Sequence, residues 1–222
     1  MIPPTLATVL DGVHAVLLDV DDTIVDTQEA MVAAGTEAAA AIWPHRPGAD
    51  HRAMAQRYYD DPERWFPRYA SGDVPFDAMR SGRLAEVAVA FGLEVPDGAH
   101  RSFEDAYAPA FRSAQRLFPD VPGLLSAAQQ AGLPVALLTN SAHAPTSVKL
   151  EACRLVGAQP HRVVCIGDSI EWDVLGAQAA GLRAVWLDRP GLGTSEPVAT
   201  VRGLDEVAAA LDRRFGPPLT DR

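Results

Sequence analysis

The stretch "AVLLDVDDTIVDT", residues 15–27, combines an apolar run with a cluster of acidic residues. It opens with four apolar residues, and Asp19, Asp21, Asp22 and Asp26 follow within eight positions. A short apolar run of this kind is typical of a strand buried on both faces of a parallel sheet. The strand is therefore expected to end in a concentration of negative charge, and that charge needs a physical reason.

Three further apolar runs of strand length lie at 135–138, 163–166 and 184–187. Helical patterns separate these runs, and glycine or proline residues stand where the helices are expected to end. Strands that alternate with helices in this way are typical of a doubly wound sheet. The sequence predicts an α/β fold with a Rossmann-like parallel sheet.

More than a hundred residues separate the first two strands, which is too many for one crossover connection. Four amphipathic stretches there predict helices, at 28–42, 49–59, 76–91 and 99–117. We therefore expect a core domain made of residues 1–26 and 119–222, and an inserted helical domain of residues 27–118.

An aromatic and basic segment in the insertion, residues 57–73, allows two interpretations. Trp65, Phe66 and Tyr69 are expected in the core of the insertion. Arg64 or Arg68 is the alternative point of interest, since a guanidinium is suited to bind a substrate anion.

The charge balance restricts the classes of partner. A formal net charge of −10 and a pI near 5.0 disfavour nucleic acid and anionic membrane surfaces, because most of the molecule repels them. No stretch approaches the roughly 20 apolar residues of a membrane span, and the N-terminus lacks a signal-peptide pattern. We expect a cytoplasmic protein with no nucleic-acid and no membrane partner.

Polar residues follow three of the predicted strands: Asp19, Asp21, Thr139, Asn140, Asp168 and Asp173. Ligands of open parallel sheets bind outside the carboxyl ends of the strands, so these side chains are expected at one edge. Asp19, Asp21 and Asp168 cannot stay ionised at close range without a cation, and carboxylate oxygens suit Mg²⁺. Thr139 and Asn140 would offer hydrogen-bond donors to an anion such as phosphate.

Three segments resemble motifs one, two and four of the haloacid dehalogenase (HAD) superfamily, whose members are mostly phosphatases. They are "DVDDT" (19–23), "LLTN" (137–140) and "GDSIEWD" (167–173). Each motif alone is weak, but three in the right order at successive strand ends are specific. By this resemblance residues 15–26 and 119–190 form the core, and the insertion is a C1-type cap.

The resemblance implies a catalytic role for two aspartates. Asp19 would be the nucleophile that forms an aspartyl-phosphate, and Asp21 the general acid that protonates the leaving oxygen and then the base for water. The family's dehalogenases lack a carboxylate at the position of Asp21, because halide leaves without a proton. The resemblance therefore favours phosphate over a haloacid.

The same resemblance implies the ligands of the metal and of the phosphoryl group. Mg²⁺ would be held by the Asp19 side chain, the main-chain carbonyl of Asp21 and Asp168, with Asp173 in support. Thr139 and Asn140 would bind the transferring phosphoryl group.

Three neighbouring residues are expected to shape the loops rather than to bind a ligand. Asp22 is expected in a tight turn, and Asp26 is expected to cap the helix that starts near Gln28. Ser169 is expected to cap the helix that carries Asp173 on its first turn.

The family's third motif, a lysine or arginine usually followed by proline and preceded by an extra strand, has no obvious counterpart. Only 29 positions separate Thr139 from Asp168, so the sheet is expected to lack one edge strand. Lys149 is the sole lysine of the chain. If Pro145 opens a helix, Lys149 lies about 6 Å along its axis and can reach the site; the alternative is that it extends into solvent.

Two functions from different classes follow. The first is a Mg²⁺-dependent phosphatase that acts on a small phosphorylated metabolite. The second is a catalytically weak or inactive relative that binds a phosphorylated ligand or a partner protein. The intact aspartates favour the enzyme, whereas the missing third motif favours the alternative, because the loss of a positive charge weakens transition-state stabilisation.

Overall fold

The computed structural model describes residues 2–138 and 159–215. The chain divides into two compact units. One contains the residues up to Val25 and those from Leu117 onward, and the other runs from Asp26 to Arg116. The sequence analysis expected boundaries after residues 26 and 118. These lie one and two residues later than the boundaries in the structure, which follow Val25 and Arg116.

The first unit is built on a parallel sheet whose five strands have the order β2-β1-β3-β4-β5. The strands are β1 (Ala15–Asp19), β2 (Val135–Leu138), β3 (Val163–Gly167), β4 (Arg183–Leu187) and β5 (Ala199–Val201). The prediction of a parallel α/β sheet is confirmed, and β1 lies between β2 and β3. Residues 139–158, where the missing edge strand was expected, lie outside the described residues.

Alternate residues of the strands serve two apolar cores, one on each face of the sheet. Val16 and Leu18 of β1 point into one core, which also contains Leu204 and Leu211. Ala15 and Leu17 point into the other core, with Cys165 and Trp186 among its members. Burial on both faces explains why the strands are continuous apolar runs rather than alternating ones.

Several helical segments of the first unit cover the sheet. They are Leu6–Leu10, Val121–Gln130, the 3₁₀ turn Pro160–Arg162, the π-helical segment Ile170–Leu175, Gly176–Ala179 and Leu204–Phe215. The helices Val121–Gln130 and Leu204–Phe215 pack against each other, and their apolar faces close one of the cores. No helix in the described ranges is long and apolar enough to cross a membrane.

The second unit is helical throughout residues 26–116, apart from its connecting loops. Its helices are Thr27–Ile42, Gly48–Asp60, Trp65–Ala70, Phe76–Ala90 and Ala99–Ala114. The four long helices lie where the sequence predicted them. Tyr58, Phe103 and Tyr107 form the aromatic part of the core, with ring centroids 5.0–6.3 Å apart.

The short helix Trp65–Ala70 has no buried residue. Trp65 packs against Gly82, where a β-carbon would overlap the indole ring. The expectation that Trp65, Phe66 and Tyr69 belong to the core is wrong: none of them is buried, and Phe66 is 50% exposed. The Phe66 ring contacts the Tyr69 ring at the surface. A helix of six residues makes fewer than two turns, so it offers no broad apolar face to the core.

Candidate active site

Two strand ends bring the first acidic residues together. Asp19 is the last residue of β1, and Asp168 directly follows β3. The two strands are parallel neighbours with Leu18 beside Ile166, so their carboxyl ends meet at the same edge. Ladder hydrogen bonds on both sides of β1 fix the backbone from which the Asp19 side chain extends.

Asp19, Asp168 and Asp173 form an acidic cluster. One carboxylate oxygen of each lies within 4.8 Å of the other two. Asp19 and Asp173 are buried, whereas Asp168 is exposed. The sequence prediction that Asp19 and Asp168 converge is therefore met in the geometry, and Asp173 lies within the same 4.8 Å of both.

Burial is the largest cause that raises the pKa of the Asp19 carboxyl to about 7. The negative charges of Asp173 and Asp168 add to this rise. The Val20 N–H and the Thr23 side chain oppose it. A carboxylate in this position stays ionised at neutral pH only if positive charge is brought to it.

The same argument applies to the other two members of the cluster. Loss of solvent around the carboxylate, followed by the charges of Asp173, Asp22 and Asp21, raises the pKa of Asp168 to about 7. Burial also raises the pKa of Asp173, and the Ser169 N–H opposes it.

The segment after β3 holds Asp173 in the cluster. Ser169 caps the π-helical segment by accepting from the Trp172 N–H at 3.2 Å, as the sequence predicted. The Ser169 N–H donates to Asp173 Oδ2 at 2.9 Å. A β-carbon at Gly167 would overlap the Asp173 carboxyl group, so only glycine leaves room for it there.

The loop after β1 carries Asp21 on its exposed side. Asp21 forms an isolated β-bridge with Val25, and the Asp22 N–H donates to the Val25 carbonyl at 2.8 Å. Asp22 has a φ of 56°, the left-handed conformation of a tight turn, which confirms its predicted role. The Asp21 carboxylate is not one of the three gathered in the cluster; the family resemblance assigns its main-chain carbonyl to the metal.

The capping role predicted for Asp26 is also confirmed. Its side chain accepts from the Glu29 N–H at 3.0 Å at the start of the helix Thr27–Ile42. Thr139, Asn140 and Lys149 lie outside the described residues, so their roles as phosphoryl ligands and as a substitute cation stay predictions.

Two residues that the sequence analysis missed contact the site loops. The Trp186 indole donates to the Asp168 carbonyl at 2.8 Å, and Arg189 Nη2 donates to the Thr23 carbonyl at 2.9 Å. The available signal was the position of both residues at the carboxyl end of β4. A buried indole N–H at such an end requires an acceptor.

The acidic cluster fits a divalent cation. Three carboxylate oxygens at this spacing offer the hard ligands that Mg²⁺ prefers. Burial and the neighbouring negative charges raise the pKa values of Asp19 and Asp168, and a cation would favour their ionised forms.

Comparison with known sequences agrees with this geometry. The sequence model of the haloacid dehalogenase-like hydrolases matches residues 13–149. The chain belongs to the haloacid dehalogenase-like hydrolases. A second model of this group, described as HAD-hydrolase-like, matches residues 145–211. The chain is also 28% identical to a phosphoserine phosphatase of Thermus thermophilus over 170 residues, which are 62% of this chain and 68% of that protein.

Solved HAD structures share the fold. The magnesium-bound HAD hydrolase YfnB of Bacillus subtilis is 20% identical with a TM-score of 0.62, over 90% of this chain and 99% of that one. The defluorinating L-2-haloacid dehalogenase Rha0230 is 19% identical with a TM-score of 0.61, over 95% and 99%. A predicted phosphoglycolate phosphatase of Haemophilus somnus is 13% identical with a TM-score of 0.60, over 90% and 98%. At these identities the likeness concerns the fold alone.

Proposed function

We propose that this HAD hydrolase is a Mg²⁺-dependent phosphatase that hydrolyses a small phosphomonoester through an aspartyl-phosphate on Asp19. The observation that carries the proposal is the acidic cluster of Asp19, Asp168 and Asp173 at the carboxyl edge of the sheet, with Asp21 two residues beyond the nucleophile.

Both halves of the reaction use Asp19 and Asp21. An Asp19 carboxylate oxygen attacks phosphorus, the bond from phosphorus to the ester oxygen breaks, and Asp21 donates its proton to that leaving oxygen. Asp21 then removes a proton from water, and the water oxygen attacks the same phosphorus. The bond between phosphorus and Asp19 breaks, so that inorganic phosphate leaves and the Asp19 carboxylate is restored.

The residues that would hold Mg²⁺ are Asp19, Asp168 and the main-chain carbonyl of Asp21, with Asp173 beside them. When bound, the ion supplies positive charge that offsets the repulsion between nucleophile and substrate. That charge also explains how Asp19 can act as an ionised nucleophile although burial raises its pKa to about 7 in the metal-free site.

Asp21 supports a phosphatase over a dehalogenase. The family contains both activities, and a haloacid dehalogenase is among the structures that share this fold. An alcohol leaving group needs a proton, whereas a halide does not, so a carboxylic acid two residues after the nucleophile is useful only for the phosphatase. The Thermus thermophilus relative, named a phosphoserine phosphatase, agrees with this choice.

A catalytically weak protein that binds a phosphorylated ligand is the second candidate. The absence of a lysine-proline third motif between Thr139 and Asp168 favours it. Under the first proposal Lys149 supplies the missing charge, and Thr139 and Asn140 bind the phosphoryl group.

We further propose that residues 26–116 act as the C1-type cap of the family. A cytoplasmic location, a small phosphorylated metabolite as substrate, and the lack of nucleic-acid and membrane partners stay predictions.

The test is phosphate release from p-nitrophenyl phosphate with Mg²⁺ and with EDTA, beside halide release from 2-chloropropionate. Phosphate release that requires Mg²⁺ and disappears in Asp19→Asn supports the proposal, provided that the variant keeps its circular dichroism spectrum. Halide release without phosphate release would establish a dehalogenase. A folded protein that binds Mg²⁺ but releases neither product would favour the second candidate.

A further inference from the structure

The peptide unit between Asp168 and Ser169 is held from both sides. Its carbonyl accepts the indole N–H of Trp186 at 2.8 Å, and its N–H donates to Asp173 Oδ2 at 2.9 Å. A continuous hydrogen-bond chain thus runs from Trp186 through one peptide group to a carboxylate of the acidic cluster.

Trp186 is rigidly placed for this contact. It lies in β4 beside Gly167 of β3, and it is only 5% exposed within the apolar core on that face of the sheet. Its indole N–H finds its acceptor in the loop rather than in the strands. Apolar packing therefore fixes the donor, and the donor fixes the loop.

The orientation of this peptide sets the position of two cluster members. The carbonyl of this peptide belongs to Asp168, so the Asp168 side chain extends from the α-carbon bonded to that carbonyl. Asp173 is held from the other side through Ser169. Rotation of the peptide would remove the donor from Asp173 and turn the backbone that carries Asp168. In a chain of hydrogen bonds, each bond also polarises the next, so the indole strengthens the donation to Asp173.

We propose that Trp186 is a positioning residue of the acidic cluster: it holds the Asp168–Ser169 peptide so that Asp168 and Asp173 converge with Asp19 on one divalent cation. The inference rests on the proposed function, since it assumes that the cluster binds Mg²⁺. Groups that orient metal ligands commonly contribute ten-fold or more to metal affinity.

Trp186→Phe is the variant that tests the proposal, because phenylalanine keeps an aromatic ring in the core and removes the N–H. Trp43→Phe is its matched control. Trp43 is a buried tryptophan of the helical unit whose indole donates to the Glu94 carbonyl at 3.0 Å, away from the acidic residues in sequence. Both variants lose one indole-to-carbonyl bond, but only one of these bonds ends at a cluster residue.

Isothermal titration of the full chain with Mg²⁺ gives the readout without relying on turnover. The dissociation constant of Trp186→Phe should rise about ten-fold or more, while that of Trp43→Phe stays within two-fold of wild type. The melting temperatures of the two metal-free variants should fall by similar amounts. An unchanged Mg²⁺ affinity in Trp186→Phe would overturn the proposal and leave the proposed function intact. A wild-type protein that binds no Mg²⁺ would overturn both.

A second measurement covers the case in which Trp186→Phe does not fold. In ¹H–¹⁵N spectra of the wild-type protein, the Trp186 indole resonance should shift on addition of Mg²⁺, whereas the Trp43 indole resonance should stay in place. A Trp186 resonance that does not respond to a bound ion would contradict the proposal.

Discussion

The Asp173 carboxylate occupies the space that a β-carbon on Gly167 would need. Gly167 has no positive φ, so the requirement for glycine here comes from close approach and not from backbone conformation. The side chain concerned is a buried member of the acidic cluster, and it also accepts the Ser169 N–H. Gly167 thus makes room for Asp173, an acidic residue six positions further along the chain.

Gly167→Ala is therefore expected to push Asp173 out of the cluster. The forced overlap should destabilise the fold by about 1–3 kcal/mol, and Mg²⁺ affinity should fall with it. Calorimetric melting of the metal-free protein and Mg²⁺ titration measure the two effects. Gly123→Ala is the control: it lies in the helix Val121–Gln130 with no atom within 4 Å of the added carbon, and alanine is the better helix former. Equal Mg²⁺ affinities in both variants would contradict the assignment.

The raised pKa values of Asp19 and Asp168 predict how stability depends on pH without metal. Both carboxyls titrate near 7 in the folded protein and near 4 when unfolded. The folded state therefore holds these protons more tightly. Their contribution to stability is fully present below about pH 4 and is lost as the pH rises through about 7.

Melting temperatures in EDTA should accordingly fall between about pH 5 and about pH 8, and Mg²⁺ should raise the melting temperature more at the higher pH. Asp19→Asn removes one of the buried charges, so its melting temperature in EDTA should decline less over the same range. Other titrating groups cancel in the difference between the two proteins. Parallel curves for wild type and variant would show that Asp19 does not titrate in this range.

Asp21→Asn tests the role of the general acid. An alkyl phosphate has a poor leaving group, so its turnover should fall by about 100-fold or more, whereas p-nitrophenyl phosphate should lose less. Asp22→Asn is the matched control, because Asp22 is the adjacent carboxylate and asparagine also tolerates its left-handed backbone. The control should lower both rates alike or not at all. The same ratio of alkyl to aryl rates in both variants would count against Asp21 as the acid.

Local patterns in the sequence were sufficient for the strands and helices that depend on them. The run at residues 15–18 predicts β1 because both of its faces are buried, and Asp26 and Ser169 form the caps that their sequence positions predicted. The strand Ala199–Val201 was missed. It has only three residues, and the middle one is exposed at the edge of the sheet, so it gives no apolar run.

The supporting contacts of the site depend on distant parts of the chain. Trp186 meets Asp168 because β3 and β4 pair with Gly167 beside Trp186, and a pattern within one segment does not contain that register. The motif positions predicted that Asp19 and Asp168 would converge. They placed Asp173 at the same edge and in support of the metal. Its position within 4.8 Å of the other two carboxylates depends on the space at Gly167 and on a π-helical turn, which the motif positions do not contain.

Arg189 connects three segments of the first unit. It forms a two-point ion pair with Asp120, at 2.8 and 3.0 Å, and Nη2 also donates to the Thr23 carbonyl at 2.9 Å. Its guanidinium lies 3.9 Å from the centre of the Phe118 ring. Asp188, the preceding residue, accepts three backbone N–H groups of the following loop, which fixes the backbone from which Arg189 extends.

The Asp120 carboxylate is charged in this network at neutral pH. Partial burial tends to raise its pKa, but hydrogen bonds from Arg189 and from the Leu204 N–H outweigh burial and lower the pKa overall. A lowered pKa in the folded state means that the stabilisation is present above the unfolded value near 4 and is lost as the pH falls below it.

Arg189→Met keeps an unbranched apolar stem over Phe118 and removes the guanidinium. The variant should lose about 2 kcal/mol of unfolding free energy at neutral pH, since it breaks charged hydrogen bonds that are largely shielded from water. Near pH 3 the difference from wild type should shrink, because Asp120 of the unfolded chain is then mostly protonated and the stabilisation that depends on its lowered pKa in the folded state is reduced. Arg101→Met, which breaks the exposed pair with Asp105, is the control and should cost less than about 0.5 kcal/mol. Calorimetric melting at both pH values measures these differences, and a loss in Arg189→Met that is as small as in the control would show that the ion pair with Asp120 does not stabilise the unit.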